Sequence, residues 1–312
     1  MTGMPVRLRQ QIEALAEDAG ALARDAKALS EAYRTRTGEG RRLAVTEGDA
    51  LSYACARMPA TFAAAQRALE LTLPCMPCEI GTVTDCGAGT GALTLAAFSA
   101  LQPSRMLCLE RESAMRGLGE RITALEGVPA EWRDFDLVRQ VVPPAELVCE
   151  GYMLGELAAG DRPAAVLKLW AATEKMLLLV EPGTPQGWRN LQEARRLLTD
   201  EGAYTAAPCP GETACPLGEG DWCHFSVRVE RTRLMKRLKG GEAPYEDEKF
   251  AFLALTREKP VPCRARILRH PDVQKGRIAL AACTGQGRQT LAVTKKDPLW
   301  KRARKAEWGD EL

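Results

Sequence analysis

The spacing of apolar residues along the chain changes character twice. From about residue 5 to residue 72, apolar side chains recur every three or four positions, as at Ile12, Leu15 and Ala16, which predicts a helical layer. From Ile80 onward, short apolar runs alternate with helical segments, which predicts a parallel sheet with helices on both faces. After Gly202 the chain becomes rich in Cys, Pro and Gly, and then regains strand-like runs such as FAFLALTR and IALAAC. We therefore expect a helical region at 1–74, an α/β domain at 75–205 and a small β-containing module at 206–312.

Composition restricts the cellular setting. The chain has 312 residues, 46% of them hydrophobic, and no run approaches 18 uninterrupted apolar residues, so we expect no membrane span. The amino terminus carries charges where a signal peptide has an apolar core, which predicts a cytoplasmic location. Because reducing compartments keep thiols reduced, regularly spaced members of the eleven cysteines are better interpreted as metal ligands than as disulfides.

Charge is distributed unevenly. Residues 226–312 contain 21 Lys and Arg against 11 Asp and Glu, a net charge of +10, which leaves a net charge of −8 for residues 1–225. This polarity favours a surface that meets an anionic polymer, and a solvated charged face is the alternative. The candidate RNA-binding residues form one basic run: Arg228, Arg231, Arg233, Lys236, Arg237 and Lys239.

A glycine-rich segment, DCGAGTG, follows a predicted strand and opens a predicted helix. Glycines let the backbone approach a ligand, and the helix amino terminus favours its negatively charged portion. Nineteen residues after Gly91, Glu110 ends the next apolar strand, where a carboxylate can accept hydrogen bonds from both hydroxyls of a ribose. The spacing D-x-G-x-G-x-G differs from the dinucleotide fingerprint and resembles motif I of class I methyltransferases, which bind S-adenosylmethionine. The candidate cofactor residues here are Asp85, Gly87, Ala88, Gly89, Gly91 and Glu110.

Two further acids are candidates for the same site. Asp134 follows the third strand, where it can meet an adenine amino group, although a surface acid is the alternative. The segment from Glu150 to Glu156 (EGYMLGE) lies at the end of the fourth strand, which usually faces the methyl donor. No Asn/Asp-Pro-Pro-aromatic clamp follows that strand, and Cys149 lies inside an apolar run that favours a buried thiol over a nucleophile. We therefore assign no catalytic residue.

Three cysteines, Cys209, Cys215 and Cys223, lie within fifteen residues in loops that carry Pro or Gly. A four-thiolate site needs one more ligand, and Cys283 is preferred to Cys263 because it leads into a turn. Four thiolates suit either tetrahedral zinc or an iron-sulfur cluster. The usual paired C-x(2–4)-C knuckles of zinc ribbons are absent from this group, which favours iron-sulfur. The separate pair formed by Cys75 and Cys78 can bind metal or exchange disulfides.

Several segments together resemble the methyltransferase-like Rsm twenty-two family of mitochondrial small-ribosomal-subunit proteins and assembly factors with their bacterial relatives. The matching segments are YACARMPATFAA, DCGAGTG, GYMLGEL, VEPGTPQGW, PCPGETACPL, DWCHFSVRVER, YEDEKFAFLALTR and ARKAEWGD. The resemblance implies a class I methyltransferase fold, a 4Fe-4S cluster on Cys209, Cys215, Cys223 and Cys283, and binding to small-subunit rRNA during assembly.

Four functions remain open at this point. The first is an assembly factor that binds rRNA and the small ribosomal subunit, with S-adenosylmethionine and the cluster as cofactors. The second is an active rRNA methyltransferase that modifies cytosine or an amino group. The third is a redox-responsive or iron-responsive regulator. The fourth is a small-molecule methyltransferase with a structural zinc, which would leave the basic run without a role.

Overall fold

The computed structural model describes residues 3–16, 18–35, 44–76, 79–212, 214–217, 220–261 and 263–312. Cys78, half of the predicted Cys75/Cys78 pair, lies outside these ranges. Within them, no helix combines the length and the apolar character needed to cross a lipid bilayer.

The amino-terminal layer is helical, as the apolar spacing predicts. A capping box starts its third helix: the Asp49 backbone N–H donates to Thr46 Oγ1, and the Thr46 backbone N–H donates to Asp49 Oδ2, each at 3.0 Å. The elements of this layer are α1 (Val6–Glu13), α2 (Ala19–Thr35), α3 (Glu47–Ala56), α4 (Met58–Thr72) and a 3-10 turn at Leu73–Cys75.

Five parallel strands and the helices between them form the centre of the molecule. The strands are β1 (Thr82–Cys86), β2 (Arg105–Glu110), β3 (Ala130–Asp134), β4 (Ala145–Gly151) and β5 (Thr173–Pro182). The helices are α5 (Ala92–Leu101), α6 (Ser113–Leu125), α7 (Arg162–Ala172) and α8 (Pro185–Asp200). The apolar runs are continuous because both faces of the sheet are covered: Leu178 packs in the core on one face, and Leu177 and Leu179 pack in the core on the other.

The sheet is mixed, whereas the sequence predicts a parallel one. The next elements are β6 (Tyr204–Ala207), β7 (Phe225–Glu230), α9 (Arg233–Lys239) and β8 (Tyr245–Thr256). Strand β8 inserts antiparallel between β5 and β6, which gives the order β3-β2-β1-β4-β5-β8-β6, and β7 also pairs with β8. The strands within residues 204–256 thus belong to the main sheet, and β6 spans the predicted division at 205/206.

The remaining strands form a second sheet with its own small core. These elements are β9 (Ala265–Ile267), β10 (Asp272–Gln274), β11 (Arg277–Thr284), β12 (Gly287–Thr294) and α10 (Trp300–Ala303). Ile267, Ile278 and Leu280 are fully buried in that core. The buried Arg266 side chain joins this sheet to the rest of the molecule, because its guanidinium donates to the backbone carbonyls of Pro208 and Gly309.

Candidate functional site

A cavity of about 500 Å³ opens at the carboxyl edge of the parallel strands. Ligands of open α/β sheets bind at this edge, and the volume lies in the range of cofactor sites. Gly87 and Gly89 line the cavity after β1, Glu110 lines it at the end of β2, and Phe135 and Asp136 line it after β3. The predicted glycine loop and the predicted β2 acid therefore meet at one cavity.

The glycine loop has a backbone that side chains would disturb. Gly87, Gly89 and Gly91 have φ angles of 72°, 58° and 89°, in the left-handed region. A Cβ atom on Gly87 would lie 2.8 Å from Met153 Cγ. Gly91 is the residue before α5 and does not line the cavity. Ala88, between the first two glycines, is buried and does not line it either. At Gly87 and Gly89, the loop therefore presents backbone atoms without side chains to the cavity.

Two carboxylates support this loop. Glu110 Oε2 accepts from the Gly89 backbone N–H and Oε1 accepts from the Glu112 backbone N–H, both at 2.8 Å. Asp85 is buried beneath the loop; its Oδ2 accepts from Thr94 Oγ1 at 2.6 Å, and its Oδ1 has no partner among the described residues. Burial raises the pKa of Asp85 to about 7.

Asp134, the candidate acid at the end of the third strand, lies outside the cavity lining. The Asp134 side chain is 75% exposed, lies 3.6 Å from the Arg116 guanidinium and does not line the cavity. Asp136, two residues later, does line it. The chain leaves the sheet after Asp134, so the alternation of the strand no longer sets which side chains face the cavity. The segment WRDFD contains both Asp134 and Asp136, and the sequence alone does not indicate which of the two faces the cavity.

Glu150 is fully buried behind the cavity lining and does not belong to it. Its Oε2 accepts from the Met153 backbone N–H at 3.1 Å. Burial raises the pKa of Glu150, and the neighbouring Glu181 raises it further. Glu181 itself lines the cavity and was missed, although a charged residue that ends the apolar run MLLLVE was a usable signal.

Further residues complete the cavity wall, and of these the sequence indicated only the segment EGYMLGE after the fourth strand. Tyr53 comes from α3, Tyr152 and Glu156 follow β4, and Glu248 comes from β8. Burial, with a smaller contribution from the nearby Glu110 carboxylate, raises the pKa of Glu156 to about 8. Cys149 is a fully buried core thiol whose Sγ donates to the Thr84 carbonyl at 3.6 Å. It does not line the cavity.

The four candidate metal ligands meet at a second, smaller cavity of about 40 Å³. Cys209, Cys215, Cys223 and Cys283 all line it, although Cys283 comes from the second sheet. Burial, together with the nearby Cys215 and Cys283 thiols, raises the pKa of Cys209 to about 12, although Arg195 acts to lower it. Cys263 is buried and does not line this cavity.

Neighbouring polar groups fix the loops that carry these cysteines. Arg195 of α8 donates to the Gly211 carbonyl at 2.9 Å. Glu212 Oε1 accepts from the Thr205 backbone N–H at 2.8 Å. Trp222 Nε1 donates to the Gly183 carbonyl at 2.9 Å. The loops are therefore tied to α8, to β6 and to the turn after β5.

The four cysteines are the donor type of a thiolate-bound group. In the described part of the chain, no three or more His, Cys, Asp or Glu side chains are placed so that they could hold a metal ion. A zinc ion draws four sulfurs to about 2.3 Å from its centre, whereas an iron-sulfur cluster places several atoms between them. Four thiols around an open volume form a donor set that either group can use. His224 stacks on Trp222 with ring centroids 5.2 Å apart and does not line the cavity.

The six basic candidates differ in accessibility. Arg233 and Arg237 are exposed on α9, Lys236 is half-buried there, and Lys239 lines the large cavity. Lys239 also lies 2.6 Å from Glu246.

The other two precede α9. Arg228 is exposed and pairs with Asp247 at 2.8 Å. The Arg231 side chain is only 8% exposed and donates to the Gly240 carbonyl, which leaves it little surface for a phosphate. Among these six candidates, the accessible positive charge therefore lies mainly on α9.

The strand order, the glycine loop after β1 and the acid at the end of β2 define a class I methyltransferase-like fold with a Rossmann-like mixed sheet. Within that class, the chain belongs to the family of the mitochondrial small ribosomal subunit protein Rsm22, whose model matches residues 47–312. The human mitochondrial ribosome assembly protein METTL17 is 30% identical, and the alignment covers 91% of this chain and 67% of that protein.

Solved methyltransferases are more distant. The magnesium protoporphyrin IX methyltransferase from Synechocystis, solved with S-adenosylmethionine bound, has 13% identity and a TM-score of 0.43 over 78% of this chain and 99% of that one. The ribosomal protein L11 methylase from Lactobacillus delbrueckii has 14% identity and a TM-score of 0.39 over 62% and 79%. Because these scores are low, the fold assignment rests on the strand order.

The predicted cytoplasmic location is contradicted by the comparisons. The family is described as mitochondrial, and so is the human relative. The charged amino terminus argued only against an export signal, since segments that direct proteins to mitochondria are themselves charged and amphipathic.

Proposed function

We propose that this protein is an assembly factor of the small ribosomal subunit that binds rRNA and carries S-adenosylmethionine and a 4Fe-4S cluster. The observation that carries the proposal is the match to the Rsm22 family over residues 47–312, a span that contains all lining residues of the smaller cavity and all but Ala44 of the larger one. A ribosome assembly role in the human relative supports the same conclusion.

The large cavity supports S-adenosylmethionine binding. Glu110 would accept the ribose hydroxyls, since each of its oxygens retains a lone pair beside the backbone hydrogen bond it already accepts. Gly87 and Gly89 would let the methionine portion approach the loop, and Asp136 would meet the adenine. When bound, the cofactor supplies an electrophilic methyl group. Glu110, Asp136 and the glycine loop would bind and orient the cofactor.

Titration calorimetry with S-adenosylmethionine tests this step. Glu110→Gln should weaken binding at least about tenfold, because it exchanges an ionic acceptor for a neutral amide. Glu131→Gln is the matched control, since Glu131 is an exposed carboxylate on β3 outside the cavity. Equal affinities for the two variants would exclude Glu110 from the site.

The second cavity supports the cluster. Cys209, Cys215 and Cys223 come from loops beside the main sheet and Cys283 from the second sheet, so a cluster would join the two. Protein purified without oxygen should contain about four irons with matching sulfide and absorb broadly near 400 nm. Cys215→Ser and Cys283→Ser should lose both, whereas Cys263→Ser should keep them. One zinc without sulfide would refute the cluster.

The accessible arginines and lysine of α9 support RNA binding through phosphates. Contacts of this kind release counterions, so the affinity for small-subunit rRNA should fall as salt rises. The double variant Arg233→Ala/Arg237→Ala should reduce the slope of log affinity against log salt by about 2. A slope that does not change would move the RNA-binding surface elsewhere.

Active methyl transfer to rRNA is a second candidate function. One observation favours it: the large cavity continues past the cofactor positions to Tyr152 after β4, Glu181 on β5 and Glu248 on β8. Transfer of a labelled methyl group to immature small subunits would support it. Tight binding of S-adenosylmethionine without transfer of its methyl group would argue against methyltransferase activity and favour the assembly role alone.

A further inference from the structure

Helix α8 forms one wall of the small cavity that the four cysteines line. Trp188, Leu191 and Gln192 of this helix all line the cavity. These positions recur every three to four residues, so the side chains lie on one face of the helix. Phe225 and Phe252 of the main sheet also line the cavity. The wall is mostly apolar, and a polar group in such a wall needs a partner.

The indole N–H of Trp188 lacks an acceptor. Trp188 Nε1 is buried from solvent and has no hydrogen-bond partner among the described residues. Two other tryptophans show the usual arrangement: Trp132 Nε1 donates to Thr123 Oγ1 at 3.1 Å, and Trp222 Nε1 donates to the Gly183 carbonyl at 2.9 Å. A buried donor without an acceptor raises the free energy of the folded protein, and an acceptor on a group bound in the cavity would recover it.

Arg266 brings a buried positive charge to the same cavity. Its side chain lines the cavity and is 1% exposed. Its guanidinium donates to the backbone carbonyls of Pro208, Gly309 and, at a longer 3.4 Å, Leu71, and to the Cys75 thiol. A buried charge is costly unless an opposite charge lies near it. These partners are uncharged, so they do not balance the charge of Arg266.

Sulfur ligands around a metal group meet both needs. Cysteines coordinate metals as thiolates, and four thiolates outweigh the positive charge of a zinc ion or of an oxidised 4Fe-4S core. The loaded site is therefore an anion in a cavity that the Arg266 side chain lines. Its sulfur atoms also accept hydrogen bonds, which help to set the reduction potential of a cluster. Trp188 offers such a donor in the wall of the same cavity.

We propose that Trp188 and Arg266 are positioning residues of the four-cysteine site. The Trp188 indole N–H donates a hydrogen bond to a sulfur of the bound group, and the Arg266 guanidinium balances the negative charge of the thiolates. Neither residue is a ligand, and both act through the sulfur atoms. This inference rests on the cluster part of the proposed function and adds the residues that hold and tune the group.

The midpoint reduction potential of the loaded protein tests the inference. A reduced cluster carries one more electron, so a donor or a positive charge beside its sulfurs stabilises the reduced form more than the oxidised form. Trp188→Phe removes the donor and should shift the equilibrium at least about threefold toward the oxidised form, or about 28 mV for one electron. Protein purified without oxygen is titrated with dithionite and followed near 400 nm. An unchanged or higher potential would overturn the role of Trp188.

Trp308→Phe is the matched control. Trp308 Nε1 is also buried without an acceptor in the part of the chain that the structure describes, but Trp308 does not line the cavity. Both variants remove the same atoms, so a shift specific to Trp188 reports where its N–H group lies. The control should shift the equilibrium less than about twofold. Equal shifts in the two variants would assign the effect to general loosening of the fold and overturn the inference.

Two variants of Arg266 separate its charge from its hydrogen bonds. Both Arg266→Lys and Arg266→Met lose the guanidinium that donates to Pro208 and Gly309, but only the lysine keeps the charge. Arg266→Met should shift the equilibrium at least about tenfold toward the oxidised form, or 59 mV, and Arg266→Lys should recover most of this shift. Equal shifts would overturn the counter-charge role. If neither variant folds by circular dichroism, Trp188→Phe decides the inference.

The inference and the proposed cluster can fail separately. If the purified protein holds zinc without sulfide, or if its cluster accepts no electron, the readout becomes the rate at which EDTA removes the metal. Trp188→Phe should raise that rate at least about threefold over Trp308→Phe, because the thiolates lose a donor. Zinc with this difference would refute the cluster and keep the inference, whereas equal rates would overturn the inference with either metal. Protein that holds neither iron nor zinc would overturn both.

Discussion

Replacing Arg266 should separate the second sheet from the rest of the molecule. The side chain is 1% exposed, and its guanidinium donates to Pro208 O at 3.1 Å, to Gly309 O at 2.9 Å and, at a longer 3.4 Å, to Leu71 O. These carbonyls belong to the loop before Cys209, to the carboxyl terminus and to the end of α4. One side chain thus joins three parts of the fold.

The expected loss follows from these bonds. A hydrogen bond from a charged donor contributes about 1.5–3 kcal/mol, and the two short bonds dominate here. Arg266→Met keeps most of the side-chain volume and leaves both buried carbonyls without a donor. We expect the free energy of unfolding to fall by about 4 kcal/mol.

Urea unfolding monitored by circular dichroism measures this loss, with an unchanged slope indicating the same unfolding transition. Arg264→Met is the control, because Arg264 is exposed two residues earlier on the same chain segment. Iron content of the folded fraction is a second readout, since Pro208 precedes Cys209. A loss below about 1 kcal/mol, within the range of an ordinary surface change, would refute the role of Arg266.

Three other changes have defined outcomes. Gly87→Ala should weaken S-adenosylmethionine binding in calorimetry, because φ is 72° and the new Cβ would meet Met153 at 2.8 Å; unchanged affinity would contradict the loop assignment. Trp222→Phe should lower the free energy of unfolding in urea by about 1 kcal/mol through loss of the bond to Gly183 O; an unchanged free energy of unfolding would argue against that bond. Burial raises the pKa of Glu156 from 4.5 to about 8, so the folded protein retains a proton that the unfolded chain releases. The free energy of unfolding should therefore fall as pH rises from about 4.5 to 8, and Glu156→Gln should remove at least about 1 kcal/mol of that decline in urea titrations at several pH values. A variant with the same pH dependence as the wild type would contradict it.

The parallel centre of the fold could be predicted from local patterns. Alternating apolar runs and helical segments from Ile80 indicate β1 to β5, and the class I methyltransferase-like fold is confirmed by the strand order. The insertion of β8 between β5 and β6 could not be predicted. It pairs Val180 with Phe252, residues far apart in the sequence, and no periodicity within either strand specifies its partner.

The cavity was predictable only where its residues follow one another closely. Gly87, Gly89 and Glu110 lie within one strand-helix-strand unit, so their spacing carried the information. Tyr53, Glu181 and Glu248 come from remote segments, and only the folded sheet brings them together. Tyr53 and Glu248 look locally like ordinary helix and strand residues, whereas Glu181 ends the apolar run MLLLVE and carries a local signal.

Sedimentation with immature small ribosomal subunits tests the central claim most directly. Protein purified without oxygen is mixed with mature subunits or their precursors, centrifuged through a sucrose gradient and detected across the fractions. The assembly role predicts that the wild-type protein travels with the precursors more than with mature subunits, and that Arg233→Ala/Arg237→Ala reduces this association. Wild-type protein that stays at the top of the gradient with both particles would contradict the account.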